Sequence, residues 1–176
     1  TMTDSFEEVD FRNETIKRLS ASLGAILSLS EEVPEGQSSW SPSESSWSLR
    51  EIVGHLIDAD REIFRIRLDL LLRDPAEEWP SMDPEKWVGE RKYSERTLGE
   101  LLRIFQDERQ RSLAWLVSIE DPDWHQGKDI SGDPIRAGDL LLAWCSHDLA
   151  HVEQICRWRT QSALENRAPF DDDFAY

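Results

Sequence analysis

Apolar side chains recur at three- and four-residue steps along four stretches of this chain, the period of an α-helix. The first stretch covers about residues 5–29 and carries Phe11, Thr15, Ile16, Leu19, Leu23, Ile26 and Leu27. It stops before Glu31-Glu32-Val33-Pro34, and a Ser/Pro-rich segment, 38–46, comes next with Trp40 inside it. The second, 48–73, carries Ser48, Ile52, His55, Ala59, Ile63, Ile66 and Leu70. Ser48 and Glu51 have the spacing of a capping box, in which each side chain satisfies an orphan backbone donor. Asp74-Pro75 ends it, because proline lacks the donor and clashes with the preceding turn. The third, 97–119, opens with a second candidate box, Thr97 and Glu100, and has Leu101, Phe105, Ser112, Trp115 and Leu116 on its inner side. The fourth, 135–160, has its start signal at Asp133-Pro134 or Arg136 and carries Leu140, Trp144, His147, His151, Ile155 and Trp158.

No stretch of useful length alternates with the two-residue period of a strand, and no internal repeat is visible. The expected fold is all-α, a four-helix bundle. Residues 1–160 form the single domain and 161–176 an acidic, extended C-terminal tail. Two connections are long, 30–47 and 75–96, and the second carries Pro75, Trp79, Pro80, Pro84 and Trp87. Loops of that length in a bundle are commonly crossovers or functional segments.

Charge narrows the partners. The chain has 20 basic and 36 acidic side chains, a net charge of −16. That field repels phosphate backbones and anionic lipid surfaces, so no nucleic acid and no membrane is expected as a partner. The longest apolar run, Leu140 to Cys145, is far short of the roughly 18 residues of a membrane span. The first residues lack the basic and apolar blocks of a signal peptide. Cys145 and Cys156 share the fourth helix, separated by about 16 Å of helical rise, too far for a disulfide. Free thiols without a signal point to the cytoplasm.

The candidate chemistry is in the histidines, of which the chain has 4. His147 and His151 are an i, i+4 pair, so their rings share one face of a helix, about 6 Å apart in rise. Taken alone, such a pair is more often a surface pair than a metal site. Both, however, lie on the apolar stripe of the fourth helix, and His55 lies on that of the second. Three inward imidazoles are costly unless something satisfies their nitrogens. Separate hydrogen bonds are one solution; a shared metal ion is the other. Three neutral imidazoles suit zinc, nickel, iron or copper, zinc being the first choice. Three protein ligands also leave a coordination position open, as catalytic sites do.

Other candidates carry blander readings. His125, in Trp124-His125-Gln126-Gly127, is expected as a surface loop histidine, or at the border of the site. Cys145 and Cys156 are expected in core packing. Asp58, one turn after His55, is the candidate catalytic group: it can orient a ligand or take a proton, or it is a solvated acid at the stripe's edge. Asp148 and Glu153 are expected to face solvent. The 8 tryptophans are expected as core and loop anchors. There is no phosphate-cradling glycine loop and no Gly-x-Ser-x-Gly elbow.

Two segments together resemble the DinB/YfiT-like superfamily, whose members are taken to be metalloenzymes. One is Trp47-Ser48-Leu49-Arg50-Glu51-Ile52-Val53-Gly54-His55-Leu56-Ile57-Asp58. The other is Gly132-Asp133-Pro134-Ile135, leading through Asp139-Leu140-Leu141-Leu142 to His147-Asp148-Leu149-Ala150-His151-Val152-Glu153-Gln154-Ile155. The resemblance covers roughly residues 10–160. It implies a four-helix bundle with a long helix 2 to helix 3 crossover and one divalent metal held by His55, His147 and His151. It also implies a homodimer and a small-molecule substrate. Arg136 departs from the pattern, standing where a capping Thr or Ser is common. Characterised relatives move groups to or from low-molecular-weight thiols, so thiol transfer is the leading expectation. Metal-dependent hydrolysis and a non-catalytic metal-binding or dimerisation module are the alternatives.

Overall fold

The computed structural model describes residues 2–165; for residues 2–10 it describes the helix but not the side chains. Four long helical stretches build a bundle. The first, α1, is Met2–Glu31. The second is one rod in three parts: α2 (Leu49–Asp58), a π-helical turn (Ala59–Phe64) and α3 (Arg65–Arg73). The crossover then carries α4 (Pro84–Glu90) and a single 3-10 turn (Tyr93–Glu95). α5 is Leu98–Ser118, a hairpin of β1 (Gly127–Ile130) and β2 (Asp133–Arg136) comes next, and α6 is Ala137–Glu165.

The expected caps explain the starts of two helices. Ser48 and Glu51 form the reciprocal capping box at α2. At α5 only half of the second box forms. The Thr97 side chain accepts from the Glu100 backbone, while the Glu35 carboxylate accepts the N–H of Leu98 at 3.1 Å. Glu35 is itself held by Arg50 at 2.7 Å, tying the loop after α1 to α2 and α5.

The start of α6 differs from expectation. Asp133-Pro134 lies in a strand, not at a helix start, because Ser131 and Gly132 both adopt positive φ (59° and 95°). Two such residues make the turn that matches the twist of a two-residue hairpin, and Ile130 pairs with Asp133 across it. Arg136 then precedes α6, and the missing hydroxyl cap is replaced from the other side. The Arg136 backbone N–H donates to Asp139 Oδ2 at 3.0 Å, and its guanidinium grips the same carboxylate. The far end of α6 runs past the expected boundary to Glu165, with Ser162 buried and bonded by Gln37 at 2.5 Å. The rest of the expected acidic tail, 166–176, lies outside the described residues.

The second rod is the bundle's centre. Every residue from Ile52 to Asp60 is buried. The π turn then inserts extra chain into the helix and rotates the residues beyond it. Ile66, expected on the inner stripe, is exposed, while Phe64, Leu68 and Leu71 are buried. One apolar cluster gathers Ile26, Leu49, Ile52, Leu56, Phe105, Ile155 and Trp158; a second gathers Leu19, Phe64, Leu68, Leu116, Leu141 and Trp144.

Two other expectations are corrected by packing. Cys145 is buried, but Cys156 is exposed, so only one thiol belongs to the core. Asp148 does not face solvent: it is 1% exposed and bonded to Arg109 and Ser22, whereas Glu153 is exposed as expected. Among the described residues, no helix is long and apolar enough to cross a membrane.

Candidate metal centre

α2 and α6 run side by side and aim three imidazoles at one point. His55 Nε2 and His147 Nε2 are 3.0 Å apart, and His151 Nε2 is 3.2 Å from His147 Nε2. The ligand atoms offered by the three residues all lie within 4.8 Å of one another. Ring-centre separations are 5.1 Å for His55–His147, 4.8 Å for His55–His151 and 4.4 Å for His147–His151.

The surroundings keep the rings neutral and turned inward. Burial pushes the pKa of His55 and of His147 down to about 3, with the neighbouring imidazoles adding to the effect. Burial also lowers that of His151, partly offset by Gln154. Gln154 Oε1 lies 2.7 Å from His151 Nδ1, so Nδ1–H donates there and the Nε2 lone pair faces the centre. Trp47 packs on His55 with ring centres 5.0 Å apart, and Phe64 meets His147 edge-on at 5.2 Å.

Three neutral imidazoles clustered this tightly fit a metal ion better than they fit each other. The Nε2 of His147 faces two other Nε2 atoms, and one ring proton cannot serve both contacts. Zinc–nitrogen bonds of about 2.0–2.1 Å in a tetrahedral site place ligand atoms about 3.4 Å apart, close to the 3.0 and 3.2 Å from His147 Nε2 to the other two rings. The donor set suits a divalent transition metal with at least one position left for water or substrate. No carboxylate or thiol belongs to the cluster among the described residues.

A cleft of about 540 Å³ lies beside the centre. Trp47, Ile52, Trp158 and Pro42 supply its apolar lining; Gln154, Arg157, Gln161 and Glu85 are among its polar groups. Trp47 and Gln154 belong to both places, one touching His55 and the other His151.

Asp58, about one turn along α2 from His55, is not one of the clustered ligands. Its Oδ1 accepts from the Tyr93 hydroxyl at 2.6 Å and from Arg91, which also forks onto Glu62 at 2.6 and 2.9 Å. Its Oδ2 is buried without a hydrogen-bond partner. Burial raises the pKa of this carboxyl, with Tyr93 and Arg91 working against the rise. The contact pins the crossover to α2. Gly54 completes the joint, since a Cβ there would overlap the Tyr93 ring. His125 is exposed in the loop before β1 and is not part of the cluster.

The DinB superfamily sequence profile matches residues 18–155, which contain all three clustered histidines. The chain belongs to the DinB superfamily. A relative from Oceanobacillus iheyensis, named as a candidate metal-dependent hydrolase, is 31% identical over 115 residues. That match takes in 62% of this chain and 65% of the relative, so the chain spans somewhat under two thirds of that protein's length. Among solved structures, YfiT from Bacillus subtilis superposes with a TM-score of 0.74 at 18% identity. The match covers 85% of this chain and 86% of YfiT, which is described as a candidate metal-dependent hydrolase of unusual four-helix bundle topology. The fold is therefore the DinB/YfiT bundle.

Several residues around the centre are polar, so the apolar pattern passes over them even where their spacing places them inside. Gln154 is visible in the chain only as part of a motif, although three residues after His151 it shares that ring's face. Arg109 lies four residues after Phe105 and three before Ser112, on the very stripe that marks the inside of α5. Asp148 lies seven residues from both Leu141 and Ile155, which are 0% exposed. Its burial is therefore legible from spacing.

Proposed function

We propose that this DinB-family protein is a divalent-metal-dependent hydrolase whose ion is held by His55, His147 and His151. The observation that carries the reading is the convergence of three neutral imidazoles, with no fourth protein ligand among the described residues, beside an open cleft. The names of its relatives point the same way. Zinc is the ion proposed, since an all-imidazole set at this spacing suits it. When bound, such an ion supplies Lewis acidity toward a substrate carbonyl and toward water.

The chain's own groups provide the rest. Gln154 fixes the tautomer of His151, and the low pKa values of the imidazoles keep their lone pairs available at neutral pH. Trp47 and Trp158 offer flat apolar walls for a small substrate, while Arg157 and Gln161 offer donors from the cleft's lining. Asp58 is proposed as the proton acceptor. Tyr93 and Arg91 anchor its Oδ1, and its unpartnered Oδ2 is the atom that takes the proton.

The test is a panel of small esters, amides and thiol–electrophile pairs, run with metal-free and zinc-loaded protein. Hydrolysis by the loaded form alone is the expected result. Consumption of a low-molecular-weight thiol in place of water would reassign the open position to a thiolate and make the protein a transferase. Zinc uptake without turnover of any class would leave only the metal-binding module.

A further inference from the structure

Two of the three imidazoles have nothing to hold their outer nitrogens. His55 Nδ1 and His147 Nδ1 are buried without a hydrogen-bond partner. Metal-bound histidines ordinarily donate that N–H to a carboxylate or carbonyl, which sets the ring's orientation. Here packing must set it, and the packing leads back to one side chain on α5.

Arg109 is 0% exposed and lies between all the elements that matter. Its Nε and Nη2 donate to Asp60, in the π turn, at 2.9 and 2.7 Å. Its Nη1 and Nη2 donate to Asp148, on α6, at 2.5 and 2.9 Å. Nη1 also reaches the Leu19 carbonyl of α1 at 3.0 Å. Asp60 is five residues after His55; Asp148 is the neighbour of His147 and three residues before His151. One guanidinium therefore ties the His55-bearing rod to the helix that carries the other two ligands.

The tie continues to a ligand ring. Trp144 Nε1 donates to Asp60 Oδ1 at 3.0 Å. The Trp144 ring stacks flat on Phe64, 5.3 Å between centres and 8° between planes. Phe64, the last residue of the π turn, meets the His147 ring edge-on. The π turn itself is needed for this, because it carries both Asp60 and Phe64 to the inside. π turns of this kind recur at functional sites.

We propose that Arg109, through Asp60, Asp148 and the Trp144–Phe64 stack, is the positioning residue that holds the imidazoles in metal-ready geometry. The inference rests on the metal reading above. A buried ion cluster is a poor source of net stability compared with apolar packing, but its fixed fork geometry specifies one arrangement of the helices.

The experiment is zinc titration of the full chain, with apo-protein melting temperature measured alongside. Arg109→Lys keeps the charge and loses the planar fork. Leu98→Ala, at the start of α5 and in the apolar cluster that contains neither Phe64 nor Trp144, is the control for destabilisation alone. The expected result is a zinc Kd about 10–100-fold weaker in Arg109→Lys, as for lost outer-sphere support, with stoichiometry unchanged at high zinc. Leu98→Ala should melt earlier yet keep the wild-type Kd. If Arg109→Lys does not fold, Trp144→Phe decides the matter, since it keeps an aromatic ring against Phe64 and deletes the bond to Asp60, its smaller ring being read by the melting temperature. A several-fold weaker Kd is expected for it. Unchanged affinity in whichever of the two folds, with wild type binding normally, overturns the positioning role alone. No uptake by wild type overturns the metal reading and this inference with it.

Discussion

His55 Nε2 and His147 Nε2 stand 3.0 Å apart although 92 residues separate them in the chain. Among the described residues, the one polar arm that reaches the cluster's outer nitrogens is Gln154, at His151 Nδ1. Gln154→Leu is therefore expected to weaken zinc binding about 10–100-fold at unchanged stoichiometry. Removing His147 and His151 together should abolish uptake, because one imidazole does not hold the ion. His55→Ala should weaken it severely. Metal titration by calorimetry reads all three, and wild-type affinity in Gln154→Leu would remove its orienting role.

The buried histidines should make the metal-free protein acid-sensitive. The pKa values of His55 and His147 drop to about 3 in the folded state, from 6.5. Between those values the unfolded chain binds protons that the folded chain refuses. Stability is thus fully present above pH 6.5 and is lost as pH falls toward 3, by up to about 1.4 kcal/mol per pH unit for each imidazole. Asp58 and Asp60, whose pKa values burial raises, act with the opposite sign. The difference between wild type and His147→Gln isolates the histidine contribution. Urea melts of the two from pH 7 to 4 should diverge in slope; parallel curves would show that the ring titrates normally.

Asp58→Asn is expected to leave zinc content unchanged and to lower turnover about 100-fold or more, the usual contribution of a positioned base. Its bond to Tyr93 can survive, since the amide oxygen still accepts. Assay of the loaded variant, with melting temperature as the control for the crossover joint, separates the two roles. Full turnover would move the proton to another group.

Gly54→Ala tests that joint directly. The added methyl overlaps the Tyr93 ring, and overpacking of this kind costs about 1–3 kcal/mol. A lower melting temperature is expected, and Tyr93→Ala in the same chain should relieve the clash.

The four helices, the Ser48–Glu51 box and the inward turn of His55, His147 and His151 are all legible in the chain, because helical period and capping are local. A side chain every three or four residues either keeps the stripe or breaks it, whatever the neighbouring helices do. The same logic applies to Asp148 and Arg109, but their charge argues for exposure and masks their place on the stripe. Burial of a charge depends on its partners, and Asp148 and Asp60 reach Arg109 from elements 39 and 49 residues away.

The features hidden from the sequence come from longer range. The π turn at Ala59–Phe64 has no local signature, since its cost is met by contacts of Asp60 and Phe64 with other helices; it moves Ile66 from the inside to the surface. The hairpin at 127–136 turns a Pro-marked helix start into a strand, because Ser131-Gly132 can close a tight turn and Asp139 can cap α6 in place of a hydroxyl. Periodicity places three imidazoles on inner faces, but a face is a direction and not a point. Their convergence within hydrogen-bond distance depends on how α2 and α6 are rotated against each other, and only the packed bundle sets that angle.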